Sequence, residues 1–100
     1  MLHLACYDIE KDRLRTKLAD KLLEYGFERI QFSVFLGTLR ENRKEELLEW
    51  VEKLLESTPP AERKFLLMPL AEAHALKSVW IAETDLDWDW LTGKQHTLII

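Results

Sequence analysis

The sequence predicts a single α+β domain in which two helices pack on one sheet. Short β-prone apolar stretches are separated by two longer stretches whose apolar residues recur at helical spacing. Their order along the chain is strand, helix, strand, strand, helix, strand, followed by a C-terminal addition. This order within 100 residues is typical of a ferredoxin-like βαββαβ sandwich, here with an extra C-terminal strand.

The first predicted strand is Leu2–Ile9, LHLACYDI, an apolar run that ends by presenting a carboxylate. Asp8 is expected at the C-terminal end of this strand, where the sheet holds the backbone while the side chain reaches solvent. Two interpretations are open for Asp8 at this point. It caps the following turn by accepting backbone hydrogen bonds, or it binds a ligand.

The stretch 11–25 is predicted to form the first helix, because its leucines recur every four residues on one face. Gly26 follows as a C-cap, since glycine adopts the left-handed conformation that ends a helix at little steric cost. The first turns of this helix carry basic side chains that we expect to lie close to Asp8, namely Arg13, Arg15 and Lys17.

Residues 27–39 change to β-formers and are too many for one short strand, so we expect a hairpin that turns at Phe32 and Ser33. The stretch 40–57 has one apolar face and is predicted to form the second helix. Thr58-Pro59-Pro60 ends this helix, since a proline disfavours helical geometry in the residue before it.

The stretch 63–70 is predicted to be the next strand, followed by one or two helical turns over 71–77 and a last core strand over 78–83. These elements complete a core domain of residues 1–83. Residues 84–100 are predicted to form an acidic, aromatic loop and a terminal strand, Gln95–Ile100, that adds to an exposed sheet edge.

The apolar pattern of the strands predicts a homodimer. Two helices cover only one face of such a sheet, yet Leu2–Tyr7 and Phe65–Leu70 are apolar at both odd and even positions. A monomer would expose a larger apolar patch than soluble monomers usually tolerate. We therefore expect the open faces of two sheets to meet.

Composition excludes several classes of function. A net charge of −4 argues against binding nucleic acid by bulk electrostatics, so any basic surface must be local. The scattered histidines predict no zinc site, and three glycines form no phosphate-binding loop. A lone cysteine, Cys6, and the lack of a signal peptide or membrane-length apolar run favour a cytoplasmic protein.

Residues 2–40 contain a set of recognisable motifs, of which the longest is ERIQFSVF at residues 28–35. The others are Tyr7-Asp8-Ile9, Leu14-Arg15, Lys17, Tyr25-Gly26 and Gly37. In these motifs the chain resembles the small CRISPR-associated Cas-two family, whereas the tail from Thr84 matches no family motif.

The resemblance implies a ferredoxin-like homodimer that contacts DNA or RNA and works with the CRISPR integrase subunit in spacer acquisition. It also implies a disputed metal-dependent endonuclease activity, with Asp8 as the catalytic carboxylate and Mg²⁺ ligand, one copy from each protomer. The matching basic positions, implicated in nucleic-acid contact, are Arg15, Lys17 and Arg29, and the residues near the site are Tyr7 and Phe35. Lys17 stands where some members have arginine, which keeps the charge but loses bidentate phosphate recognition.

Three functions follow as alternatives. The chain is a dimeric scaffold for the integrase, a phosphodiesterase in which two Asp8 carboxylates hold one Mg²⁺, or a ferredoxin-like regulatory or ligand-binding dimer without nuclease activity. The acidic balance favours the scaffold, because a nuclease that grips its substrate unaided needs more positive charge than an adaptor does.

Overall fold

A computed structural model describes residues 1–92; the predicted strand Gln95–Ile100 lies outside the described residues. The predicted α+β class and the βαββαβ order are confirmed. The elements are β1 (Leu2–Ile9), α1 (Asp12–Glu24), β2 (Glu28–Gln31), β3 (Val34–Thr38), α2 (Glu41–Leu55), a 3₁₀ turn (Pro60–Glu62), β4 (Arg63–Pro69), α3 (Glu72–Ala75) and α4 (Trp88–Leu91). No helix within this range is long and apolar enough to cross a membrane.

The four strands form an antiparallel sheet in the order β2-β3-β1-β4, with β1 paired on both sides. Cys6 lies between Val34 on β3 and Leu66 on β4. The predicted hairpin turn at Phe32 and Ser33 is confirmed, since these are the two residues between β2 and β3. The register matters because side chains alternate between the two faces of each strand.

The main core lies between the sheet and the two long helices. The odd-numbered residues of β1 face this side, and the apolar stripes of both helices pack on them as the leucine spacing predicts. Trp50 packs at the edge of this core, as its position beside the α2 stripe indicates. The buried residues include Ala5, Tyr7, Ile9, Leu14, Leu18, Leu22, Leu47, Val51 and Leu55.

Two glycines adapt the backbone to this packing. Gly26 has a φ of 88°, which confirms the predicted helix C-cap. At Gly37 on β3, a Cβ atom would lie only 2.8 Å from Cγ of the buried Phe27, so the strand passes a ring that leaves no room for a side chain.

The other face of the sheet is partly covered by the chain that follows β4. A second apolar cluster joins Leu2 and Leu36 on the sheet to Ala75 of α3 and Leu91 of α4. The hydroxyl of Thr38 also donates to the carbonyl of Leu91 over 2.5 Å. Part of the face that the sequence assigned to a partner is therefore covered within one chain.

The predicted strand over 78–83 is wrong. This segment has no regular structure, and Val79 and Ile81 are 83% and 90% exposed. The indole N–H of Trp80 donates to the carbonyl of Thr84 over 2.7 Å, within a local bend. A β-prone sequence forms a strand only when it reaches a free sheet edge, and in this chain the segment after α3 crosses the open face instead.

His3 is a polar side chain buried in the helix-facing side of β1, with an exposed fraction of 2%. Its Nδ1 lies 2.8 Å from the carbonyl oxygen of Met1, an acceptor only, so the neutral ring donates from Nδ1. Nε2 is buried without a partner among the described residues. Burial lowers the pKa of His3 from its usual 6.5; Lys44 acts in the same direction, while Glu41 and the Met1 hydrogen bond oppose it.

We expect the wild type to lose unfolding free energy as the pH falls below 6.5, because the unfolded chain then binds a proton that buried His3 does not. The contribution is complete above 6.5 and is lost as the pH falls through the lowered pKa of the folded state. Urea denaturation of wild type and His3→Leu from about pH 8 to about pH 5 measures the difference. Parallel stability curves for the two proteins would contradict this assignment.

Candidate functional site

Asp8 is an exposed side chain on the sheet face opposite the two long helices. It alternates with the buried residues Tyr7 and Ile9, and Lys64 of β4 lies opposite it in the register. The N-cap of α1 is Lys11, which makes no side-chain capping bond. Within residues 1–92 the Asp8 carboxylate makes no hydrogen bond or ion pair. The capping interpretation is therefore wrong, and the carboxylate is available to a ligand.

Arg15 joins the end of β1 to the start of α1. Its Nη1 donates to the carbonyl oxygens of Ile9 over 2.7 Å and Glu10 over 2.8 Å, and its guanidinium forms an ion pair with Asp12. Most of its donors are thus engaged within the protein. The predicted proximity to Asp8 holds along the backbone only, because Arg15 lies on the helix side of β1 and the Asp8 side chain on the other.

Arg29 belongs to an aromatic cluster on the helix side of the hairpin. The rings of Tyr7 and Phe35 stack with centroids 6.1 Å apart. The Cζ atom of Arg29 lies 5.1 Å from the centroid of Phe35 and 5.7 Å from that of Phe32, within cation–π range. Arg29 is exposed and forms no ion pair in the described part of the chain. Its N–H groups therefore remain free for an anion.

Most of these side chains, though not the buried Phe35, line one open pocket of about 340 Å³, which we call the hairpin pocket. It contains two guanidinium groups and one carboxylate, so its local charge is positive although the whole chain is acidic. Its lining residues are Tyr7, Asp12, Arg15, Thr16, Arg29 and Phe32. Lys17 is exposed on α1 but does not line this pocket.

The sequence-predicted site residues thus divide into two places. Tyr7, Arg15, Arg29 and Phe35 come together around the hairpin pocket, whereas Asp8 faces the opposite side of the sheet. Sequence reasoning missed Phe32 as a site residue. The available signal was its position, since the two residues of a tight turn are most often Gly, Asn, Asp or Ser rather than a large aromatic residue.

Asp8 belongs to no metal-binding cluster within the described part of one protomer. Among residues 1–92, no three His, Cys, Asp or Glu side chains come together in a geometry that would hold a metal ion. Mg²⁺ is often bound by only one or two carboxylates and keeps several waters. A second Asp8 from another copy, with waters, would complete such a donor set.

A wider groove of about 680 Å³ lies between α1 and α2. The Lys21 ammonium lies 5.0 Å from the Trp50 ring centroid, and the Arg43 guanidinium lies 4.2 Å from that of Tyr25. The Tyr25 hydroxyl donates to Glu46; burial, and then this bond, raise the pKa of Tyr25. Three basic side chains face three acidic ones here, so this groove offers no net attraction to phosphates.

Comparison with known proteins gives consistent results. The sequence model of the family described as CRISPR associated protein Cas2 matches residues 1–77. A protein of Archaeoglobus fulgidus named CRISPR-associated endoribonuclease Cas2 1 is 32% identical over 87 residues, which cover 87% of this chain and 89% of the relative. A protein of Synechocystis named CRISPR-associated endoribonuclease Cas2 3 is 39% identical over 78 residues, which cover 78% of this chain and 79% of the relative.

Two solved structures share the fold. A hypothetical protein of Thermus thermophilus, TT1823, superposes with a TM-score of 0.62 at 37% identity, over 70% of this chain and 80% of that chain. Streptococcus pyogenes Cas2 superposes with a TM-score of 0.68 over 82% of this chain and 100% of that chain. At 15% identity the second likeness concerns the fold alone.

Arg15 and Lys17 offer a matched test of the site geometry, because each substitution by alanine removes one positive charge from α1. We expect Arg15→Ala to lower the unfolding free energy by about 1–3 kcal/mol, since it leaves two carbonyl groups and Asp12 without their donor. Lys17→Ala should stay within about 0.5 kcal/mol of wild type. Denaturant titration measures both, and equal losses would show that Arg15 does not hold the β1–α1 connection.

Proposed function

The chain belongs to the CRISPR-associated Cas2 family, and from this premise we propose that it is a homodimeric CRISPR adaptation protein. In this proposal it contacts nucleic acid, DNA or RNA, and serves as a scaffold for the integrase subunit in the cytoplasm. The observation that carries the proposal is the position of Asp8, an unpaired and exposed carboxylate on the open sheet face. The free thiol of Cys6 fits a reducing compartment.

The dimer is supported by apolar surface beside Asp8. Leu66 and Met68 of β4 are 50% and 40% exposed on this face, and Val79 and Ile81 add to the exposed apolar surface of the chain. The chain that follows β4, through α3 and α4, covers the end of the face that carries Leu4 and Leu36 but leaves the Leu66 side open. A second copy that buries this patch would bring its own Asp8 to the same surface, because a two-fold contact uses the same patch on both partners.

The donor chemistry of such a pair fits Mg²⁺. Two carboxylates with coordinated waters are a usual protein contribution to a magnesium site, and the cation would also relieve the repulsion between the two charges. When bound, Mg²⁺ supplies activation of a water molecule and stabilisation of charge on a phosphate oxygen. The residues that would hold it are the two copies of Asp8.

The remaining site residues contact the nucleic acid or support those that do. Arg29, with free donors at the rim of the hairpin pocket, neutralises a backbone phosphate. Arg15 orients the turn between Asp8 and α1 through its two carbonyl bonds. Tyr7 and Phe35 form the apolar floor beneath Arg29, and exposed Lys17 adds positive charge on the adjacent face of α1.

A second function, hydrolysis of phosphodiester bonds, is supported by the names of the curated relatives, which are called endoribonucleases. The charge of this chain favours the scaffold as its main role. With a net charge of −4, positive surface is confined to local groups such as the two arginines of the hairpin pocket, which suits an adaptor that touches nucleic acid at a few points.

The dimer surface can be tested with a matched pair of leucines. Leu66 on the open face and Leu23 on α1 are both 50% exposed. We expect Leu66→Glu to convert the dimer to a monomer at micromolar concentration, because it places a charge in a desolvated apolar contact. Leu23→Glu should remain dimeric. Sedimentation velocity measures both, and a wild type that sediments as a monomer would reject the dimer.

The Asp8 site can be tested by magnesium binding. Mg²⁺ should raise the melting temperature of the wild-type dimer, because a ligand that binds only the folded state stabilises it, and should raise it much less in Asp8→Asn. Asp20→Asn removes an exposed carboxylate from α1 and should respond like wild type. Equal magnesium shifts in all three proteins would reject the shared site.

The same variants separate scaffold from enzyme when they are assayed for nuclease activity and, with the integrase, for spacer acquisition. Loss of cleavage with acquisition intact in Asp8→Asn would assign Asp8 to a hydrolysis that adaptation does not need. Loss of acquisition in a folded Asp8→Asn dimer would overturn the scaffold as the main role of the chain.

A further inference from the structure

Phe32 is a large aromatic side chain in an unusual place. It is one of the two turn residues between β2 and β3, and 74% of its surface is exposed to solvent. It belongs to neither apolar cluster of the fold. Its exposure gains nothing for folding, since burial of apolar surface is what stabilises the folded state. An exposed ring at the rim of a positive pocket is suited to contact a ligand.

The surroundings of Phe32 define the chemistry of that ligand. The Cζ atom of Arg29 lies 5.7 Å from the Phe32 centroid, and the same guanidinium has no ion pair in the described part of the chain. Arg15, the other cation of the hairpin pocket, is engaged by two carbonyls and Asp12. The available groups are therefore one open aromatic face and one free guanidinium, side by side.

We infer that Phe32 and Arg29 bind one unpaired nucleotide, with its base stacked on the Phe32 ring and its phosphate accepting hydrogen bonds from Arg29. Aromatic side chains stack on bases of any sequence, and arginine pairs with phosphate. In a continuous duplex the faces of the bases are covered by their neighbours, so this site selects strands with exposed bases. The hairpin pocket, about 340 Å³, lies at the small end of the range for ligand sites and suits a single nucleotide.

This inference rests on the proposed contact with nucleic acid and narrows it to unpaired nucleotides. A protein partner that docks on Phe32 is the competing occupant. The free guanidinium beside the ring favours the nucleotide, because phosphate matches its planar donors, while the ring alone would serve either partner.

The test is fluorescence anisotropy of the full chain with a labelled twelve-nucleotide oligouridylate, the matching oligothymidylate and a twelve-base-pair DNA duplex. Phe32→Ala should weaken binding of the single strands by about 5- to 100-fold, the usual effect of losing one stacked base. Phe32→Trp should restore it, and binding of the duplex should change by less than about 2-fold. Trp90→Ala is the control, since Trp90 is also an exposed aromatic residue, 50% exposed, but does not line the pocket.

A second measurement isolates stacking from any change in folding. Oligonucleotides in which every base is replaced by an abasic residue keep their phosphates, so wild type should bind them as weakly as Phe32→Ala does, and the substitution should then have no further effect. If Phe32→Ala weakens binding of the oligouridylate only, the site is specific for RNA. If it weakens binding of the oligothymidylate as well, the site accepts any unpaired strand.

Four results would overturn the inference. Phe32→Ala could bind all probes as wild type does, or could lose affinity for the duplex as much as for the single strands. Either result would mean that the chain binds nucleic acid without a stacking site at Phe32. Loss of a protein partner by Phe32→Ala with unchanged oligonucleotide binding would assign the ring to that partner. A wild type that binds none of the probes would reject the proposed nucleic-acid contact as well.

Discussion

The pairing of β1 on both edges is the constraint on which the rest of the structure depends. Because β3 and β4 hold this strand on either side, a slip of one residue would exchange all its side chains between the two faces. The odd positions are filled by residues that the helices bury, such as Ala5, Tyr7 and Ile9. The even positions must then face away from the helices, and Asp8 is the last of them. The packing of the core therefore decides which surface carries the carboxylate.

Because side chains alternate along the strands, two functional surfaces lie on opposite faces of the same sheet. On the helix side, Tyr7 and Phe35 support Arg29, and Arg15 is held by backbone carbonyls, which gives a positive, aromatic pocket. On the open side stand the Asp8 carboxylate, with Lys64 opposite it on β4, and exposed aliphatic residues. An acidic protein can thus present a surface for phosphates in one place and a surface for a cation and a second copy in another.

The open face also links oligomerisation to the proposed magnesium site. In a single protomer Asp8 belongs to no cluster of three metal-ligating side chains in the described part of the chain, and Leu66 beside it is only half-buried. A symmetric copy that packs on this face would supply a second Asp8 and would bury Leu66, because a two-fold axis duplicates each residue near it. In this arrangement a variant that prevents dimerisation also removes the second ligand, so Leu66 and Asp8 are expected to be coupled although they do different chemistry.

The sequence alone determined the parts of this protein that depend on local periodicity. The leucine spacing placed α1, the apolar run placed β1, and the motif at residues 28–35 placed the hairpin and indicated the family, because each of these signals lies within a few residues of the chain. Tertiary structure decided what depends on distant neighbours. The stretch 78–83 has strand-forming residues but reaches no sheet edge, so it forms no strand. Asp8 and Arg15 are seven residues apart yet lie on opposite sides of β1, and Phe32 meets Arg29 at the rim of the hairpin pocket, because side-chain direction is set by the pairing of strands and the packing of helices rather than by distance along the chain.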